Sequence, residues 1–491
     1  MEDVSQKRLF LRVFPSVMLP MFLASVDGTI VATALPAIAG ELGQVERVSW
    51  IVVSYLVAAT IAAPVYGRLG DALGRRRVMF LALGLFISAS ALCAVAPSIL
   101  VLTIARLLQG LGGGGLMTLS QALVGEVVPP RERGKYQGYT ASVFVCASSF
   151  GPVAGGWLTQ SLGWQSVFWV NIPLGLLAVF LTFRLKVRPP TLGAFRFDFL
   201  GLALFALTIA PLLLSLEEFR KFDVSVLPWA FMMLGLAGGA CFLLVRQQVR
   251  FPAPLLPINL LRQEAIWRTT LLASCAGATI VSLVTFLPIY LEIVRGISPT
   301  DTGLRMLPLT LFIAVGGMTT GQIITRTGRS AIIPSFGQPA LAALILCLAF
   351  FAPSMSIDQL GFLFAGISFF CGSAMPVVQT TVQMLAGPRQ LGSAAASVQF
   401  SRSIGSGLGT ALVGTVLFGT LTATDTDAAH LFSMLVEEGA KALDGLPAAR
   451  IGQVQIEVAH AFRAAFVAIA VFPLLGAVMA WTMPVRRIEG R

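Results

Sequence analysis

The chain has 491 residues, of which 56% are hydrophobic and only 12% carry a charged side chain. A soluble domain carries about 25% charged residues, so this composition excludes a soluble protein of several domains. The apolar runs are long enough to cross about 30 Å of hydrocarbon as helices, and they do not alternate as the strands of a membrane barrel would.

Fourteen apolar segments follow one another, and each is predicted to be a membrane-spanning helix. The first is preceded by basic residues, and it is interpreted as a retained helix because it is too long for the apolar region of a signal peptide. An even number of spans places both termini on one side of the membrane. In chain order the predicted helices lie near residues 12–38, 48–68, 77–96, 98–125, 136–160, 164–186, 198–216, 226–246, 266–293, 301–325, 331–352, 357–386, 391–419 and 461–484.

The distribution of basic residues predicts which side that is. With the N-terminus inside, 24 of the 34 Lys and Arg residues fall in cytoplasmic segments, eight fall in outer loops, and Arg106 and Arg402 lie within helices. This asymmetry follows the positive-inside rule, so both termini are expected in the cytoplasm. It also explains the net charge of +11 without nucleic acid, because the charges lie in separate short loops.

The predicted spans divide the chain into three parts. Residues 1–190 form a first six-helix bundle, residues 191–255 hold two additional helices, and residues 256–487 form a second six-helix bundle. A long acidic outer loop at 420–460 is interpreted as a solvated hairpin, with partner docking or gating as the alternative. The last four residues, 488–491, match a factor Xa recognition sequence and are interpreted as a protease-site scar.

No metal site and no catalytic cluster are predicted. The six cysteines all lie in apolar runs without a CxxC pair, and neither histidine has a cluster of metal-ligand spacing around it. Both histidines also fall outside the predicted membrane helices. These features argue against a membrane-embedded enzyme.

A motif rich in glycine and arginine joins the second and third predicted helices. Glycine allows a tight turn and close approach of helices, and the acid can cap a helix or pair with an arginine. A weaker copy at residues 321–329, about 254 residues later, has Thr325 in place of the acid. The repeat predicts two homologous halves. The residues of the first copy that we expect to form a gate are Gly67, Asp71, Gly74, Arg75 and Arg76.

Two residues of opposite charge are predicted at membrane depth, Asp27 in the first helix and Arg106 in the fourth. Charged side chains are costly there and normally face a cavity or a partner. Asp27 is a candidate for proton coupling, since a carboxylate in such a setting can take up and release a proton as a cavity changes sides. A packed structural pair with Arg106 is the alternative, and the two interpretations are compatible. Gln109, on the same helix face as Arg106, and Glu126 are further candidates.

Small residues recur in the fifth predicted helix, at Gly151, Pro152, Gly155 and Gly156. Small residues at this spacing let two helices approach closely, and proline bends a helix. The thirteenth helix has a looser counterpart around Arg402. Because Arg402 lies roughly three turns inside its helix, we expect it to need a partner or water.

Together these motifs resemble those of the major facilitator superfamily. The 67–77 segment resembles its cytoplasmic loop motif, and 147–156 resembles its antiporter motif. The segment from Asp27 to Pro36 resembles the first helix of the fourteen-span drug:proton antiporters of the EmrB/QacA type. The resemblance implies an all-α membrane fold of two six-helix bundles plus two linker helices.

The same resemblance implies a location in a bacterial inner membrane and a function. We expect multidrug efflux of hydrophobic or cationic compounds by alternating access, with Asp27 and Arg106 in proton coupling. A dedicated lipid or metabolite exporter on the same fold is the alternative. The implied partners are the cargo, protons and membrane lipid, with a periplasmic adaptor as a candidate, and neither nucleic acid nor a cofactor beyond the proton gradient is expected.

Overall fold

The computed structural model describes residues 2–43, 47–129, 132–185, 196–219, 227–252, 254–256, 258–425, 431–432 and 448–485. Within these ranges the regular secondary structure is helical, without a β-strand. The predicted domain boundary at 190 and the 488–491 segment lie outside the described residues. The helices are α1 (Glu2–Leu42), α2 (Ser49–Leu73), α3 (Arg75–Ala94), α4 (Ile99–Val127), α5 (Arg133–Leu162), α6 (Ser166–Trp169), α7 (Asn171–Phe183), α8 (Phe199–Phe219), α9 (Leu227–Arg250), α10 (Ile258–Leu261), α11 (Glu264–Ile289, continued by a π-helical turn at Tyr290–Val294), α12 (Pro299–Arg305), α13 (Leu307–Thr327), α14 (Ile332–Phe351), α15 (Ile357–Ala386), α16 (Leu391–Thr424) and α17 (Ala448–Trp481).

The all-helical membrane fold predicted from the sequence is confirmed. In the described part of the chain, thirteen helical spans are long and apolar enough to cross a membrane, and α8 supplies a shorter apolar stretch, Phe199–Ser215. These fourteen segments correspond to the fourteen predicted ones, although the sixth is divided into α6 and α7 at Val170.

The largest difference lies at the predicted loop 420–460. Helix α16 continues to Thr424, and α17 begins at Ala448, thirteen residues before the predicted start at 461. The sequence prediction ended each helix where the apolar run ended, but a helix can continue past the hydrocarbon with polar residues on its surface. The prediction that both histidines fall outside the membrane helices is therefore wrong for His460, which lies inside α17. Most of the acidic segment, 426–430 and 433–447, lies outside the described residues.

The membrane helices form two groups that meet at a central cavity. In the first group α1 packs against α4, α5 and α7, and α2 and α3 pack against α4. In the second, α11 packs against α15, α16 and α17, α13 against α15, and α14 against α17. The groups meet where α2 contacts α16 and where α5 contacts α13.

The two additional helices, α8 and α9, pack against each other beside one of these seams. Phe205 of α8 stacks on Phe400 of α16 at a centroid distance of 5.1 Å, and α8 also contacts α2. Asp198 holds the pair together, because it accepts hydrogen bonds from the backbone of Gly201 and the side chain of Gln248. Helix α9 exposes a run of large apolar side chains on its outer face, as expected of a lipid-facing helix.

Candidate functional site

Asp27 lies in the middle of the membrane-spanning part of α1, inside the first group of helices. Its side chain is buried and forms an ion pair with Arg106 of α4, with an N–O distance of 2.5 Å. The predicted pairing of the two charges at membrane depth is therefore present in the structure. Removing either partner would leave the other charge buried and uncompensated, which typically costs about 3–5 kcal/mol.

Three neutral side chains complete the surroundings of this pair. Gln109, one turn after Arg106, donates to Asp27 at 2.8 Å and accepts from Arg106 at 2.7 Å. The same Gln109 amide nitrogen also donates to Ser90 of α3. Asn171, the first residue of α7, donates to the same Asp27 oxygen as Gln109, at 2.8 Å. The carboxylate thus links α1 directly to α4 and α7, and α3 through Gln109.

The guanidinium of Arg106 is enclosed as completely as the carboxylate. Its Nε donates to the backbone carbonyl of Ile51 at 3.3 Å, and its centre lies 4.3 Å from the ring of Tyr55 and 5.8 Å from that of Phe168. The Tyr55 hydroxyl donates to the backbone of Ala24 in α1. The pair is therefore packed within the first group of helices rather than exposed in the central cavity.

The gate residues predicted around Asp71 lie where the two groups of helices meet. We call this end of the molecule, which holds the α2–α3 and α4–α5 connections and the start of α16, the basic end. The Asp71 carboxylate accepts hydrogen bonds from the backbone of Gly392 and of Ser393, each at 2.9 Å, and from the Ser393 hydroxyl at 3.1 Å. Asp71 thus caps the N-terminus of α16, whose dipole favours a negative charge.

Arg75 connects this cap to the rest of the first group. It pairs with Asp71 at 2.6 Å and with Glu126 at the end of α4, and it reaches the backbone of Pro388 just before α16. Gly74 has a φ of 93°, a conformation that favours glycine, and ends α2. Arg76 instead donates to the backbone of Phe183 at the end of α7.

Glycines allow the close approach of the two groups at the basic end. A Cβ added to Gly67 would lie 2.6 Å from the backbone oxygen of Gly392, so any larger residue would push α2 away from α16. The α5–α13 seam uses the same arrangement, since Gly134 and Gly321 meet backbone to backbone. Gly67 and Gly321 are the corresponding first glycines of the two motif copies. In the second copy, however, the Thr325 hydroxyl donates to Gly321 of its own helix, at 2.9 Å.

The small residues Gly151 and Gly155 of α5 lie against α1 rather than between the two groups. An added Cβ at Gly151 would clash with the side chain of Thr29, and one at Gly155 would lie 2.7 Å from the backbone oxygen of Ile30. Gly156 has open space around it, and Pro152 is exposed. The close crossing expected from the spacing is therefore made by Gly151 and Gly155.

A cavity of about 410 Å³ lies between the two groups. Its lining is largely apolar, with four glutamines and several hydroxyl residues. Arg402 projects into it, as an arginine three turns inside α16 was expected to do, and Asp27 and Arg106 do not line it. The lining comes from α1, α2, α4, α5, α8, α11, α13, α15 and α16 and includes Met21, Leu56, Met117, Gln121, Gln137, Phe144, Leu213, Met375, Gln379, Gln399 and Ser406.

Sequence reasoning missed three participants of the Asp27 site, namely Ser90, Asn171 and Tyr55. Asn171 left a signal, because it is an isolated amide in the apolar sixth span. A polar group at that depth requires a hydrogen-bond partner. The described residues contain no group of three potential metal ligands.

Comparisons with known proteins agree with this architecture. The family model of the Major Facilitator Superfamily matches residues 17–410. An uncharacterised MFS-type transporter of Mycobacterium tuberculosis is 34% identical over 421 residues, which cover 83% of this chain and 60% of that protein. The multidrug transporter protein MdtP of Bacillus subtilis is 31% identical over 420 residues, covering 85% of this chain and 76% of that protein.

Solved structures show the same fold. The human organic anion transporter MFSD10 superposes with a TM-score of 0.66 at 17% identity, over 96% of this chain and 99% of that one. The proton:xylose symporter XylE gives a TM-score of 0.62 at 14% identity, over 98% and 97%. With its two groups of helices around a cavity, and a family match over most of its length, the chain belongs to the Major Facilitator Superfamily of transporters.

Proposed function

We propose that this transporter is a proton-driven antiporter of the fourteen-span drug:proton type, which exports hydrophobic compounds across a bacterial inner membrane by alternating access. The observation that carries the proposal is the enclosed Asp27–Arg106 pair at membrane depth. MdtP and a second Bacillus subtilis relative, multidrug resistance protein 3, both carry names that refer to multidrug transport or resistance, which supports the choice of cargo.

The orientation follows from the positive-inside rule, which assigns the basic end and both termini to the cytoplasm. At this end the two groups are joined by the Asp71 cap and by the glycine contacts of both seams. The structure then corresponds to a state closed toward the cytoplasm. In the state open toward the cytoplasm, α2 would separate from the start of α16. Asp71 would then lose its hydrogen bonds from the backbone N–H groups of Gly392 and Ser393.

A proton on Asp27 would act by removing the charge that holds α1 to its neighbours. The protonated carboxyl no longer forms an ion pair with Arg106 and accepts more weakly from Gln109 and Asn171. Helix α1 would loosen from α4 and α7. Because α1 packs closely on Gly151 and Gly155 of α5, and α5 contacts α13, this change would reach the interface between the two groups. The proton gradient supplies the energy, and no cofactor takes part.

The test is efflux of hydrophobic dyes from proteoliposomes with an imposed pH gradient. The wild type should export dye only when protons can flow inward, whereas Asp27→Asn should show efflux that is indifferent to the gradient or absent. Asp198→Asn is the matched control, because Asp198 is also a buried carboxylate but its hydrogen-bond partners in the described residues belong to the α8–α9 pair.

Two results would contradict the proposal. One is wild-type efflux that ignores the gradient, and the other is gradient-driven efflux that survives in Asp27→Asn. Equilibrium binding of the same dyes in detergent, without any gradient, separates a loss of coupling from a loss of folded protein.

A further inference from the structure

Arg402 is the one residue with a charged side chain among the described residues that line the central cavity. It lies three turns inside α16, so its guanidinium is held at membrane depth. No carboxylate of the described chain forms an ion pair with it, and its closest aromatic neighbour is the ring of Phe144, 5.7 Å away across the cavity. The cavity is therefore a positively charged, mostly apolar chamber.

Arg106 shows what this chain does with a buried arginine that has a structural role. Arg106 is neutralised by Asp27, hydrogen-bonded to Gln109 and to the backbone, and closed off from the cavity. Within the part of the chain that the structure describes, Arg402 has none of these arrangements, and it remains partly exposed to the cavity. An uncompensated charge inside a membrane protein is costly and marks a site that water or a ligand of opposite charge occupies.

The surroundings of Arg402 leave room for a ligand and offer further hydrogen bonds. Its cavity neighbours on α16 include three small residues, Ser403, Ser406 and Gly407. The side-chain amide nitrogen of Gln137, which lines the same cavity, is buried and has no hydrogen-bond partner among the described residues. A planar guanidinium with its fork of donors suits a carboxylate or another oxyanion, whereas the described lining holds no carboxylate that could pair with a cationic ligand.

We propose that the cavity binds an amphipathic organic anion, with its oxyanion group on Arg402 and its apolar body against Met21, Met117 and Met375. This deepens the proposed export function by naming the cargo class, and it rests on the cavity being the transport site. It also replaces the cationic cargo that the family resemblance implied, because the described lining contains no carboxylate. Flexible methionine side chains can pack against apolar groups of different shape. The site would therefore discriminate more strictly by the charge of the ligand than by the shape of its apolar part.

The test is equilibrium binding of three probes that differ only in charge, using the purified full chain in detergent. The probes are dansyl-labelled undecanoic acid, its methyl ester, and the dansyl-labelled amine of the same length. The acid should bind the wild type about tenfold to hundredfold more tightly than the ester, the range that a hydrogen bond to a charged group gives. The amine should bind more weakly than the ester.

Two substitutions locate the effect. Arg402→Gln should abolish the preference for the acid while leaving ester binding nearly unchanged, and Arg402→Lys should retain part of the preference. The matched control is Arg463→Gln, because Arg463 of α17 makes the same kind of contact with an aromatic ring, at 5.7 Å from Phe350, outside the cavity. This control should keep the full preference. Competition by dodecanoate or by dodecyl phosphate identifies the oxyanion as a carboxylate or a phosphate.

The inference is overturned if the wild type binds acid and ester equally, if it binds the amine most tightly, if neither dodecyl anion competes, or if Arg402→Gln keeps the acid preference. These outcomes are independent of proton coupling, since no gradient is present and Asp27→Asn should retain the preference. Gradient-driven export of cationic dyes without acid binding would refute only the cargo class. Acid binding without gradient-driven transport would refute only the export function.

Discussion

The cap that Asp71 forms on α16 leads to a quantitative prediction for Asp71→Asn. The backbone groups of Gly392 and Ser393 donate to different oxygens of the Asp71 carboxylate, so in asparagine one of the two donors would face an amide nitrogen instead of an acceptor. One hydrogen bond to a charged group is worth about 1.5–3 kcal/mol. The ratio of the open to the closed form of the basic end should therefore rise about tenfold to hundredfold, since 1.4 kcal/mol corresponds to a factor of ten.

The change can be measured as a distance between spin labels on the two groups of helices. Arg77 at the start of α3 and Arg329 after α13 are both exposed at the basic end, so cysteines there can be labelled. The exposed native residues Cys146 and Cys241 are replaced by serine beforehand. In the wild-type protein, pulsed electron–electron double resonance should give mainly the short distance between the two labels that the closed form predicts. In Asp71→Asn the ratio of the longer distance to the short one should rise by that factor.

Asp198→Asn provides the control for the chemistry of the substitution. Asp198 is also a buried carboxylate that accepts from the backbone near a helix start, but it joins α8 to α9 rather than one group of membrane helices to the other. The distribution of spin-label distances in Asp198→Asn should match that of the wild type. An unchanged distribution in Asp71→Asn, or an equal change in Asp198→Asn, would refute the assignment of Asp71 as the cap that closes this end.

Two further predictions concern stability, measured as unfolding in detergent. Asp27→Asn and Arg106→Gln should each lose about 3–5 kcal/mol, because each leaves the opposite charge buried and uncompensated; losses below about 1 kcal/mol would count against this. Gly155→Ala should lose about 1–3 kcal/mol by pushing α5 from α1, whereas Gly156→Ala, with open space around it, should not; similar effects of both would argue against the crossing.

The sequence predicted those parts of the candidate site that depend on one helix or on charge at membrane depth. Asp27 and Arg106 could be expected to pair because both charges lie inside spans, and the 3.6-residue period placed Gln109 beside Arg106. Asn171 could not be placed, because its role depends on α7 lying against α1, a contact between distant parts of the chain. The same holds for Asp71 and Gly392, which are 321 residues apart in sequence but in hydrogen-bond contact.

Helix ends were predicted less well for a related physical reason. An apolar run in the sequence marks only the part of a helix that lies inside the hydrocarbon. The helix itself ends where its backbone hydrogen bonds end. Helix α17 therefore extends back to Ala448 through polar residues that hydropathy excludes. Phe432, in the predicted loop, stacks on Phe418 of α16 and Phe462 of α17 at centroid distances of 5.3 and 6.1 Å. This apolar anchor explains why part of the loop packs on the helices.

The position of α8 breaks the twofold symmetry of the two halves. It rests on both α2 and α16, and its Leu213 reaches the cavity, so one flank of the chamber has a third wall between cargo and lipid. The α5–α13 flank has no such helix among the described contacts. In the alternating-access cycle proposed above, α8 would slide on at least one of its two supports, and the apolar contact of Phe205 with Phe400 would permit this without breaking directional bonds. A hydrophobic cargo of the proposed kind that entered from the lipid would then meet one more helix on the α2–α16 flank than on the α5–α13 flank.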